Sequence, residues 1–181
     1  MERGLGRFDQ PKPGAAVTVD RARVGDAARD FEAALKINPR SYAALQNLSM
    51  IYCEHARDDA KASAILETMR KHYPDDLLVR RARAVVFARL GQMDEALREA
   101  AACRRLDPSP LSLYQLAGVY AHAGKTRPEH TAEAVRLLAW AVSEGYGGPL
   151  LETDIDTEPL RDNQGFRKVV AAYRELTALG R

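Results

Sequence analysis

The stretch ASAILETMRKHYP (62–74) decides the fold. Its Ala62, Leu66 and Met69 stand four and then three residues apart, the spacing of a single helical face, and Pro74 closes it. Proline has no N–H to donate inside a helix, and it drives the preceding residue out of the helical region. The same design stands upstream in AARDFEAALKINP (27–39), with Ala27, Phe31 and Ala34. It stands downstream in ALREAAACRRLDP (96–108), with Ala96, Ala100 and Cys103. Pro39, Pro74 and Pro108 lie 35 and 34 residues apart. A period in this range means stacked supersecondary units.

Each unit needs a second element between its prolines. SYAALQNLSMIYCEH (41–55), DLLVRRARAVVFARL (76–90) and SPLSLYQLAGVYAHA (109–123) share a small-then-aromatic pattern: Ser49 then Tyr52, Ala84 then Phe87, Ala117 then Tyr120. Ser109 followed by Pro110 is a helix start, an N-cap and then proline at the first helical position. The spacing predicts antiparallel helix pairs in which small residues face each other and let the helices approach closely.

This pattern resembles the tetratricopeptide repeat, W-x2-L-G-x2-Y…A-x3-F…P, through Leu45, Leu48, Ser49, Tyr52, Ala62, Leu66 and Pro74, and again through Ala84, Phe87, Ala96, Ala100 and Pro108. The resemblance implies an all-α, right-handed α-solenoid of helix-turn-helix pairs. The expected division is a loose segment over 1–22, half a unit over 23–40, full units over 41–75 and 76–109, and a unit with a lengthened turn over 110–146. A closing loop and capping helix then fill 147–181. The lengthened turn is GKTRPEH (124–130), and the capping helix rests on the apolar stripe Phe166, Val169, Val170, Tyr173 and Leu176. A solenoid needs such a cap because its last repeat otherwise leaves an apolar face in water.

The closing segment adds a narrower resemblance. Gly145-Tyr146, Leu151, Asp154, Asp156, Pro159-Leu160-Arg161 and Phe166 are similar to the segment that closes tetratricopeptide arrays in many bacterial proteins. With SPLSLYQLAGVYA (109–121), they resemble the C-terminal arrays of planctomycete-type serine/threonine protein kinases. The kinase signatures themselves (G-x-G-x-x-G, V-A-I-K, H-R-D-L-x-x-x-N, D-F-G) do not occur, so the resemblance implies an array without its kinase.

Composition sets the remaining bounds. The chain has 181 residues, 46% hydrophobic and 29% charged, and 27 Lys+Arg against 25 Asp+Glu give a net charge of +2. The two signs interleave along helices, as in RKHYPDDLLVRRAR (70–83), which does not favour nucleic acid as a partner. No apolar run is long enough to span a membrane, and MERGLGRFDQPKPG (1–14) lacks the apolar core of a secretory signal; the expected location is cytoplasmic. Cys53 and Cys103 lack C-x-x-C spacing and read as packed thiols.

Nothing in the residue pattern points to catalysis, a metal or a cofactor. His55, His72, His122 and His130 lie on separate elements, none at H-E-x-x-H spacing. Cys53 and His55 would point to different helix faces. Asp154, Asp156 and Glu158 lack the residue order of a calcium loop. The resemblance to the tetratricopeptide family implies protein interaction, with a protein or peptide ligand in the concave groove. Gln46, Met50, Arg81, Val85, Arg89, Tyr114 and His122 are the groove candidates, the two arginines holding carboxylates or backbone carbonyls. The Lys/Asn pattern by which some members of the family hold acidic tails is missing. A second reading is self-association, giving a homo-oligomer through the incomplete first unit, where Ala27, Phe31 and Ala34 would lack a partner helix. A third is a structural spacer in a larger signalling protein such as a kinase.

Overall fold

A computed structural model describes residues 21–179, and side chains from residue 23 onward. The expectation of a loose segment over residues 1–22 therefore lies outside the described residues, except that residues 21 and 22 belong to helix α1 (Arg21–Ile37). Three antiparallel pairs follow. The first is α2 (Tyr42–Met50), extended by a π-helical turn (Ile51–Ala56), with α3 (Asp59–His72). The second is α4 (Leu77–Arg89) with α5 (Met93–Leu106), and the third is α6 (Pro110–Gly124) with α7 (Glu129–Ser143). Short 3-10 turns (Gly148–Leu150 and Ile155–Leu160) lead to α8 (Gln164–Leu179). The described residues are helices and connections only, an all-α solenoid of helical hairpins with a C-terminal cap.

Helix starts follow local chemistry. Ser41, Asp58, Asp76 and Ser109 each turn a side-chain oxygen onto backbone N–H groups of the first turn that have no partner within the helix. The small residues at the crossings, Ala62, Ala84, Ala96, Ala117 and Ala134, are fully buried, because helices approach closely only where side chains are short. Around them lie two apolar clusters. Leu45, Leu48, Leu66, Met69 and Val86 fill the one towards the N-terminal side; Leu116, Leu138, Leu151, Leu160 and Phe166 fill the other. Each fully buried leucine contributes about 1.5–3 kcal/mol of transfer free energy.

The unequal intervals between prolines have a structural cause. From Ser49 to Ala62 the chain has one residue more than from Ala84 to Ala96, and the surplus falls in IYCEHA, Ile51–Ala56. A helix absorbs one inserted residue by widening to the i→i+5 pattern, and that is the π turn seen here. The turn ends at Arg57, whose φ of 54° is left-handed; Gly91 has φ 76° in the matching turn of the next pair.

The lengthened third connection is taken up in part by α6, which continues to Gly124, and α6 with α7 forms the most extensively packed pair. One expectation needs correction. The capping stripe ends at Tyr173: Phe166 and Val170 are buried and Val169 and Tyr173 partly so, but Leu176 is 66% exposed. Helix α8 outruns the surface on which its first half packs.

Candidate functional site

The first helices of the three pairs line the concave side, and equivalent positions stack into rungs. Counting from the small residue of each pair, Gln46, Arg81 and Tyr114 form one rung; Met50, Val85 and Gly118 form the next; Glu54, Arg89 and His122 form a third. The closing segment returns against these rungs. Between it and the first helices of the three pairs lies a cleft of about 420 Å³, with Tyr146, Leu150, Asp154, Asp156 and Thr157 on its closing side.

Six of the seven groove candidates border this cleft: Gln46, Met50, Arg81, Val85, Arg89 and Tyr114. Met50 is half-exposed and Tyr114 is 4% exposed. His122 is not on the cleft wall. It lies behind Asp156, with Nε2 3.2 Å from Asp156 Oδ1.

The third rung is already engaged by the chain itself. Arg89, whose side chain is 5% exposed, grips Asp156 side-on, Nε to Oδ1 at 2.9 Å and Nη2 to Oδ2 at 2.7 Å. Arg89 Nη1 also donates to the Cys53 carbonyl at 2.9 Å and to Asp59 at 3.4 Å. The π turn supplies that carbonyl: the N–H groups of Arg57 and Asp58 both go to Tyr52, which leaves the Cys53 oxygen to the guanidinium. Burial alone would raise the Asp156 pKa, but hydrogen bonds from His122 and Arg89 outweigh it and hold the carboxyl at about 2. Burial likewise opposes the charge on Arg89, and Asp156 more than restores it.

Gly118 makes this closure fit. A Cβ there would stand 2.7 Å from Asp156 Cβ, so the closing segment reaches α6 because the rung lacks a side chain. Gly147, at φ 81°, lies so close over the Tyr114 ring that a Cβ would enter it, and the Tyr114 and Tyr146 rings meet edge to face at 5.6 Å. The acidic stretch is structural in its details: Asp154 accepts from Asp156 N–H, and Thr157 Oγ1 donates to the Leu151 carbonyl at 2.7 Å.

The expected roles of the groove arginines are corrected by these contacts. Arg81 pairs with Asp107 at 2.9 Å and Arg89 with Asp156, so both guanidinium groups already hold carboxylates of the chain. His122, in the last turn of α6, is already engaged by Asp156 rather than open to a ligand. His55 and His72 are exposed. The expectation that Ala27, Phe31 and Ala34 lack a covering helix is corrected in part: all three are half-buried, and Ala27 and Phe31 pack on the cluster built by α2 and α3.

Cys53 and Cys103 are buried thiols, pushed up to about 12 and about 11 by burial. Cys53 is enclosed while His55 is exposed, so the two do not form a nucleophile–base pair. Among the described residues, no group of three or more His, Cys, Asp or Glu side chains is placed to hold a metal ion. No helix among them is long and apolar enough to cross a membrane.

A comparison with curated proteins gives no match. The family model described as tetratricopeptide repeat matches residues 19–86, which span α1, the first full pair and most of α4. The later pair α6–α7 follows as another helical hairpin, and the fold is an all-α tetratricopeptide-type solenoid.

Proposed function

We propose that the chain is a non-catalytic protein-interaction module that holds a segment of a partner in the cleft between the first helices of its three pairs and its closing segment. Tetratricopeptide repeats mediate protein–protein interaction, and solenoids present extended concave surfaces for it. The observation that carries the reading to this site is the cleft itself. Its 420 Å³ falls in the range of about 300–1,000 Å³ found for ligand-binding pockets, and Met50 and Leu150, on its lining, expose apolar surface. The groove beyond, at the Arg89 and His122 rung, is filled by Asp156, so a ligand enters from the side of the first pair.

A photo-crosslinking amino acid placed at Met50, at Leu150 or at Lys71, which is exposed on α3, tests this in lysate of the source cells. A partner captured from positions 50 and 150 and not from 71 supports the reading. Capture from 71 alone, or from none of the three, overturns it. Adducts between two copies of the chain would instead favour self-association.

A further inference from the structure

The charges around the cleft decide what it accepts. Arg81 is occupied by Asp107. Arg89 serves three carboxylates at once: Asp156 at 2.7 Å, Asp59 at 3.4 Å and Glu54 at 3.8 Å. Asp154 is a fifth carboxylate, on the closing side. On the cleft wall two guanidinium groups, Arg81 and Arg89, thus face three carboxylates, Glu54, Asp154 and Asp156, with Asp59 and Asp107 behind the arginines, and the surplus is negative. Glu54, half-exposed and farthest from Arg89, and Asp154 keep the least neutralised charge.

A second observation points to a missing partner. Tyr114 borders the same space, and its buried hydroxyl makes no hydrogen bond of ordinary geometry among the described residues, the Asp154 carboxylate being the acceptor that lies beside it. Leaving such a group unpaired costs about 1–3 kcal/mol, so a ligand that completes it gains affinity. Burial and the nearby Asp154 carboxylate push the phenol pKa up, so the group stays a neutral O–H with lone pairs to accept.

We infer that the cleft selects a partner segment carrying a Lys or Arg side chain, its methylene stem lying along Met50, Val85 and Leu150 and its cationic head reaching Asp154 and the Tyr114 hydroxyl. Long basic side chains combine an apolar stem with a charged tip, and this cleft offers a matching surface for each. Glu54 adds negative potential at the entrance. The inference rests on the groove-binding function proposed above, and it reverses the polarity that the groove arginines suggest in the sequence.

The test uses the purified full chain and four degenerate decapeptide libraries whose central residue is fixed as Lys, Arg, Glu or norleucine. Retention of the Lys and Arg libraries about 1.5- to fivefold above norleucine is expected, the range for a partly exposed ion pair. Combining Glu54→Gln with Asp154→Asn should remove that preference while leaving the thermal melt unchanged, since Asn keeps the capping hydrogen bond. Should the double variant lose stability, Glu54→Gln alone, at an exposed site, is expected to reduce the preference. A preference for Glu, indifference to the fixed residue, or a basic preference that survives these variants overturns the inference; the groove reading then stands if Met50→Glu abolishes retention. Retention of no library overturns both.

Discussion

Arg89 and Asp156, 67 positions apart, form a two-point ion pair that ties the second helical pair to the closing segment, and through Cys53 and His122 to the other two pairs. A solenoid gains stability mainly from neighbouring repeats, so a contact spanning all three pairs makes the unfolding of its ends depend on one another. Replacing Arg89 by Leu leaves Asp156 and the Cys53 carbonyl buried without their cation. The expected loss is about 3–5 kcal/mol, read from urea unfolding. Because one partner's removal strands the other, a double-mutant cycle with Asp156→Asn should show strong coupling, with the double variant less damaged than the sum of the singles.

The same pair sets an acid limit. The Asp156 pKa falls from an ordinary 3.8 to about 2 in the folded chain, so the folded state binds this proton less readily than the unfolded one. Its contribution, about 2 kcal/mol, is therefore complete above pH 4 and lost as the pH falls through about 2. Unfolding free energies measured from pH 5 to pH 2 should decline less steeply in Asp156→Asn than in the wild type. Equal slopes would mean that the pair does not govern acid sensitivity.

How far the sequence shows this arrangement depends on whether a feature repeats. The outer helices are written in Ala-x3-apolar-x2-apolar stripes ending at Pro39, Pro74 and Pro108, and each lies where its stripe puts it. The rung positions follow by the same arithmetic, which is why six groove residues found from spacing border the cleft. The return of the closing segment is a single event with no period. One residue does carry a trace of it: Gly118 stands where the other rungs hold Met50 and Val85, and glycine inside a helix costs about 1 kcal/mol unless something needs the space. The pairing of Arg81 and Arg89 has no such trace, because an arginine on a groove face reads the same free or bound.

The π turn gives a prediction about length. If IYCEHA holds one residue more than its α-helical counterpart, deleting the exposed His55 should let the turn relax to α geometry, with loss of a few degrees in melting temperature at most. Deleting Arg83 from the uninterrupted helix α4 should be far more damaging, since every later residue of the helix rotates off its face. Equal damage from both deletions would show that the surplus residue is not accommodated in the turn.

Arg57 offers a gain. Its left-handed conformation costs an L-residue about 1 kcal/mol, and Gly91 avoids that cost at the equivalent turn. Arg57→Gly removes an exposed side chain, so chemical denaturation should show stabilisation of up to about 1 kcal/mol. A neutral or negative result would mean that the unfolded chain's added freedom cancels the relief.

Gly118→Ala opposes two well-measured tendencies. In an unobstructed helix, the change from Gly to Ala stabilises by about 1 kcal/mol, and α6 is helical on both sides of this position. Here the new Cβ would meet Asp156 Cβ at 2.7 Å and Cγ at 3.5 Å, and Asp156 is held from the other side by Arg89 and His122. Overpacking of this kind costs about 1–3 kcal/mol, so the expected net effect is a destabilisation. Pairing the change with Asp156→Gly should reverse the sign, because the obstructing side chain is then absent and only the helix preference remains. Stabilisation by Gly118→Ala in the wild-type background would show that the closing segment can withdraw from α6 at little cost, leaving the third rung open to a ligand.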